Sequence, residues 1–205
     1  VLVIGLGGGS QPMQYRSLFP RSELSVVEID PAVERVAKEC FGFVKDNHTR
    51  VYIEDATQFV QRKSKPGVGS LRGLFDVIIN DVPNPVDPAA TTSIFASSTF
   101  LRHISELLSP QGIYVMNQNL EASGRGTVTP DTLSSAGFGH SLFFNNVEVM
   151  RSLVVASGSG SLAQTPKAWE SSIRANTAAL GLDRPDEKWR SSTAFVRELQ
   201  EARGG

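Results

Sequence analysis

The chain has 205 residues, 40% of them hydrophobic and 20% charged, with a formal net charge of −1. That is enough for one α/β domain with a sizeable core, and the balanced charge gives no sign of nucleic-acid binding. No apolar run approaches the roughly 20 residues that a spanning helix requires, so no membrane segment is expected. The single cysteine, Cys40, precludes an internal disulfide and fits a reducing, cytoplasmic setting. Its helical pattern assigns it to the core rather than to catalysis, because none of His48, His103 and His140 sits in a pattern that marks a thiol partner.

In chain order, Val1 to Ile4 is an apolar, mostly β-branched strand closed by Gly5-Leu6-Gly7-Gly8-Gly9, and Gln11 to Leu18 reads as a short helix. Because the sequence opens inside a buried-strand pattern, a preceding segment is expected. Leu24 to Glu28 is a second strand, and Pro31 starts a helix whose Val33, Val36, Ala37 and Cys40 are spaced for one buried face. Val51 to Ile53, the helix Ala56 to Lys63 and a Gly/Ser-rich loop from Ser64 to Gly73 follow. Phe75 to Asn80 is a fourth strand, and the Pro-rich stretch from Val82 to about Pro88 can hold no regular element. A helix near Ser97 to Leu108, a strand from Gly112 to Met116, and antiparallel strands at His140 to Asn145 and Ser152 to Ala156 complete the pattern. Short apolar strands alternating with amphipathic helices predict an α/β fold, a mainly parallel sheet covered by helices on both faces. We expect residues 1–156 to form the ligand-binding domain and 157–205 a helical extension of it.

The candidate chemistry lies at the strand ends. Glycines at 5, 7 and 9 let the backbone approach a ligand and aim the next helix's amides at it. Taken alone, they also suit a tight turn without a ligand. Glu28 ends the second strand about 20 residues after the loop, where an acid accepts hydrogen bonds from ribose hydroxyls. The spacing GLGGGS departs from G-x-G-x-x-G, with the third glycine a residue early, which favours an S-adenosylmethionine site over a nicotinamide site. Asp55 follows the third strand and either accepts from an adenine amine or caps the helix from Ala56 onward. Asp81 closes the fourth strand, where it faces the reacting group and can hold or deprotonate an incoming amine; the plainer reading is a loop carboxylate capping turn amides.

The segments VLVIGLGGGS, VVEIDPAVERVAKECFGF, VYIEDA, FDVIINDVPNPVDPA and LLSPQGIYVMNQN together resemble the spermidine synthase-like branch of class I methyltransferases. Within it, the glycine loop, VEIDP with the later FGF, and the DV start of the post-strand loop are most similar to one family. That family is the translation elongation factor lysine and N-terminal methyltransferases, in their C-terminal domain. The resemblance runs from Val1 to roughly Ala156. It implies a Rossmann-like class I methyltransferase fold with a seven-stranded sheet, S-adenosylmethionine as cofactor, a protein substrate and a homodimer. It further implies that Gly5, Gly7 and Gly9 border the cofactor, that Glu28 binds its ribose and Asp55 its adenine, and that Ile29, Ala56 and Asp81 also contact it. Asp81 matches the aspartate with which aminopropyltransferases activate the attacking amine. Two departures weigh against aminopropyl transfer: those enzymes resemble GGGDG in the loop where this chain has Gly8, and they carry a second aspartate where it has Asn84. A non-catalytic scaffold that merely keeps the fold is the remaining alternative.

Overall fold

Leu2, Val3 and Ile4 are fully buried, and the sheet grows outward from them in both directions. The computed structural model describes residues 1–82, 94–120, 126–146 and 151–158. The Pro-rich stretch beyond Val82, most of the small-residue stretch before Gly126 and the C-terminal helical extension lie outside the described residues.

Seven strands form one sheet: β1 (Leu2–Ile4), β2 (Leu24–Glu28), β3 (Thr49–Ile53), β4 (Phe75–Asn80), β5 (Leu108–Asn119), β6 (His140–Asn146) and β7 (Arg151–Ser157). Their order is β3-β2-β1-β4-β5-β7-β6, with β1 to β5 parallel and the β6–β7 pair antiparallel. The chain therefore builds outward from β1 to β3 and then returns to place β4 on the other side of β1. In an open parallel sheet this reversal opens a crevice at the carboxyl ends of the two central strands.

The helices are α1 (Ser10–Leu18), α2 (Pro31–Phe41), α3 (Ala56–Lys63), α4 (Ser98–Leu107) and α5 (Pro130–Ser135). Strand periodicity sends alternate residues to opposite faces. Leu2, Ile4, Val27, Ile78 and Tyr114 meet Phe59 and Val60 of α3 together with Phe100, Leu101 and Ile104 of α4. Val3, Leu24 and Val26 meet Ala37 of α2, with Met13 of α1 packed alongside. Both faces are thus covered, as the alternating pattern requires.

The local chemistry of each helix start is legible. Asp30 caps α2 by accepting from the Ala32 amide at 2.8 Å, Pro31 fills the first helical position, and Gly42 closes the end with φ 72°. Ser97 caps α4 through the Phe100 amide.

Two sequence expectations need correction, and one helix falls outside the pattern. Cys40 is exposed rather than in the core, and Val36 is 44% exposed. Only Ala37 of the four spaced residues is fully buried, because the last turn of α2, including Phe41, stands clear of the sheet. β5 is longer than Gly112 to Met116: its start carries a bulge, with the pairing jumping from Phe75–Leu108 to Val77–Ile113, and its end is extended by pairing with β7. The bulge also explains Gly112, where a side chain would strike the Phe75 carbonyl. Finally, α5 is absent from the hydrophobic pattern because it is a six-residue helix with one buried side chain, Leu133. Its signal is the Thr129–Thr132 capping box with Pro130 at the first position.

Candidate active site

Three backbone hydrogen bonds continue the parallel pairing just past the strand ends: Gly5 N to Val27 O, Glu54 N to Glu28 O and Asp81 N to Ile4 O. They set the three post-strand segments side by side. Glu28, Asp55 and Asp81 consequently share one cavity with the glycine loop. It has a volume of about 750 Å³, within the range of small-molecule sites.

Gly5 and Gly7 line the cavity, both with positive φ. A side chain at Gly5 would meet Val82 on the neighbouring segment, whereas one at Gly7 would enter open space. The turn therefore needs glycine at both positions for conformation, and at Gly5 for close packing as well. Gly8 also lines the cavity. Gly9 does not; it begins α1 with φ 78° and lies against Phe43, whose ring an added Cβ would meet at 2.9 Å. No side chain caps α1.

Glu28 is only 9% exposed and holds the loop from below. Its Oε2 accepts from the Leu6 amide at 3.0 Å and its Oε1 from the Asp30 amide at 3.0 Å. Each oxygen keeps one lone pair for a ligand hydroxyl. Ile29 lies at the rim, 65% exposed.

Asp55 resolves the choice left by the sequence in one respect: it is the α3 cap. Its Oδ1 accepts from the Thr57 and Gln58 amides and from the Thr57 hydroxyl. The Thr57 hydroxyl bond holds the carboxyl below its usual pKa, outweighing the opposing effect of partial burial. Its Oδ2 makes no hydrogen bond among the described residues. Capping by one oxygen therefore leaves the other for a cavity ligand, with Ala56 lining the wall beside it.

Asp81 follows β4, across β1 from Glu28 and Asp55, and lines the cavity with Val82 and Phe95. Its carboxylate accepts from Gln11 and Asn117, two residues the sequence reading did not select. Both sit beside recognisable signals, Gln11 two residues after Gly9 of the glycine loop and Asn117 in the polar run that ends β5, but only the fold brings them to one carboxylate. Asn80, fully buried just before it, donates to the Tyr114 hydroxyl at 3.1 Å and accepts from the Val82 amide. That pair fixes the backbone on which Asp81 rides, and burial pushes the Tyr114 phenol well above its ordinary pKa. Among the described residues there is no cluster of metal-ligating side chains, and no helix is long and apolar enough to cross a membrane.

The human eEF1A lysine and N-terminal methyltransferase is 36% identical over 121 residues, 57% of this chain and 17% of that protein. A polyamine aminopropyltransferase from Vibrio vulnificus is 34% identical over 117 residues, 57% of this chain and 36% of that protein. This chain thus corresponds to about a sixth of the first relative's length and about a third of the second's. Among solved structures, human methyltransferase-like protein 13 in complex with SAH superposes with a TM-score of 0.75 at 25% identity, over 94% of this chain and 87% of that one. The Thermotoga maritima spermidine synthase shares the fold, with a TM-score of 0.57 at 18% identity, over 77% of this chain and 52% of that one. The architecture is the Rossmann-like methyltransferase fold. The model of the spermine/spermidine synthase domain matches residues 1–124, more than half of the sequence, and the chain belongs to that family.

Proposed function

We propose that this domain is an S-adenosylmethionine-dependent methyltransferase acting on an amine of a protein, a lysine or an N-terminus. The observation that carries the reading is the single cavity lined by Asp55 and Glu28 on one side of the glycine loop and by Asp81 on the other. The cavity's size and the bare backbone of Gly5 and Gly7 suit a nucleoside. Glu28 would accept from the ribose hydroxyls with the lone pairs its two loop amides leave free, and the Oδ2 of Asp55 would accept from the adenine amine. When bound, the cofactor supplies an electrophilic methyl on a sulfonium.

What remains for the protein is alignment and proton handling. An acceptor ammonium must lose a proton before its nitrogen can attack, and Asp81 is the carboxylate at the reacting end that can hold the ammonium and take that proton. The human relative is named for methylation of eEF1A, and that protein is our proposed first acceptor to test.

Aminopropyl transfer is the second reading, supported by the family and by the Vibrio relative. It is weakened by Gly8, which lines the cavity without a carboxylate to hold the cofactor's extra amine. A cytoplasmic setting and a homodimer belong to the same proposal. Incubation with eEF1A and either S-adenosylmethionine or its decarboxylated form separates the two readings. Transfer from S-adenosylmethionine is expected, with Asp81→Asn lowering kcat by roughly 10²- to 10⁴-fold, the range for a lost acid-base group. Consumption of only the decarboxylated form overturns the methyltransferase reading, and absence of any calorimetric heat with S-adenosylhomocysteine favours a scaffold.

A further inference from the structure

Asp81 does not stand alone on its side of the cavity. Its Oδ1 accepts from the Asn117 side-chain amide at 2.9 Å and its Oδ2 from that of Gln11 at 2.6 Å. Asn117 lies near the end of β5 and Gln11 in the first turn of α1, while Asp81 directly follows β4. Three separately anchored elements therefore meet on one carboxylate. An ionised carboxylate only accepts, so both carboxamides must turn their NH2 groups toward it. A donor on each oxygen fixes the plane of the group, where a single donor would leave it free to rotate.

We propose that Asn117, seconded by Gln11, is a positioning residue that aims the Asp81 carboxylate at the point where acceptor amine and cofactor methyl meet. This rests on the functional reading above and extends it to how the anion is held. Asn117 carries the inference more cleanly than Gln11. It lines a smaller cavity of about 320 Å³ with Tyr15, Ile79, Val115 and Leu153, and is not part of the nucleoside cavity. Gln11 and Asp81 line both. The contact of Asn117 with the nucleoside cavity thus runs through the hydrogen-bonded Asp81 carboxylate. A residue that only supported the sheet would, on removal, weaken every ligand alike. A positioning residue affects only the ligand that Asp81 must face.

Calorimetric titration with two probes distinguishes these outcomes without knowledge of the acceptor. S-adenosylhomocysteine fills the nucleoside cavity and lacks any group at the methyl position; sinefungin places an amine there. The intact protein is expected to prefer sinefungin. Asn117→Leu, and Asn117→Ala as a second variant without added bulk, should lower that preference about tenfold, the equivalent of one charge-assisted hydrogen bond. Their affinity for S-adenosylhomocysteine should stay unchanged, which also certifies their fold. Asp81→Asn should lose the preference as well. An unchanged preference in both Asn117 variants overturns the positioning role while leaving the functional reading intact, and so does a parallel loss of both ligands. An intact protein that binds both probes equally overturns the placement of Asp81, and one that binds neither overturns the functional reading itself.

Discussion

The most direct perturbation of the site is Glu28→Gln, because it keeps the shape of the side chain and changes only its hydrogen-bonding chemistry. Glu28 accepts one backbone amide on each oxygen, both at 3.0 Å, in a position 9% exposed. Glutamine has one accepting oxygen and one NH2. Whichever way it turns, one of the Leu6 and Asp30 amides keeps its partner and the other faces a donor. The loss of one hydrogen bond to a charged acceptor costs about 1.5–3 kcal/mol, before any repulsion between the two donors. For a domain of this size each kcal/mol lowers the melting temperature by roughly 2–4 °C, so the variant should melt about 3–12 °C below the parent. Thermal unfolding followed by circular dichroism, with no nucleoside present, measures this directly and isolates loop anchoring from any role in ribose binding. A melting point within about 1 °C of the parent would refute the reasoning, since the carboxylate would then be solvated rather than holding the glycine loop.

Two further substitutions test separate parts of the structure. Gly9→Ala combines a left-handed backbone, costing about 1–2 kcal/mol, with an overpacked contact on Phe43, costing about 1–3 kcal/mol more. Gly7→Ala carries the backbone cost alone, so denaturant titration should rank Gly9→Ala as clearly the worse; equal midpoints would show that Phe43 yields. Asp46 is held down to a pKa of about 2 by the Thr49 hydroxyl first, then by the Arg16 guanidinium and the His48 amide. A lowered carboxylate contributes stability above its ordinary value of 3.8 and loses it as pH falls toward 2. The stability gap between the parent and Asp46→Asn should therefore be full at neutral pH and close in acid, and added salt should shrink it because the pair is exposed. A gap constant from neutral to acid pH in urea unfolding would contradict this.

The sequence made the central strands and the strand-end acids readable for the same reason. Strands buried on both faces, such as Leu2-Val3-Ile4, read as near-continuous apolar runs, and the residues at or just past their carboxyl ends fall at the crevice. Glu28, Asp55 and Asp81 were found that way, and they do share one cavity. The partners of those acids were not legible, because hydrogen bonds such as Asn117 to Asp81 join residues far apart in the chain, and only the sheet order brings them together. Gly9 shows the limit of motif reading: it shares positive φ with Gly5 and Gly7 but serves packing against Phe43 rather than the cavity. The exposure of Cys40 has a similar origin, since helical spacing tells which residues share a face but not where along its length the helix leaves the sheet.

The position of β1 has a consequence for biosynthesis. Leu2 pairs on one side with Ser25 and on the other with Ile78. A ribosome adding about 5–20 residues per second delivers the first neighbour within roughly one to five seconds and the second only after about 4–15 seconds. Throughout that interval an apolar ribbon with one unsatisfied row of amides and carbonyls is exposed to the cell, and nascent-chain protection matters most until the Phe75–Asn80 segment emerges.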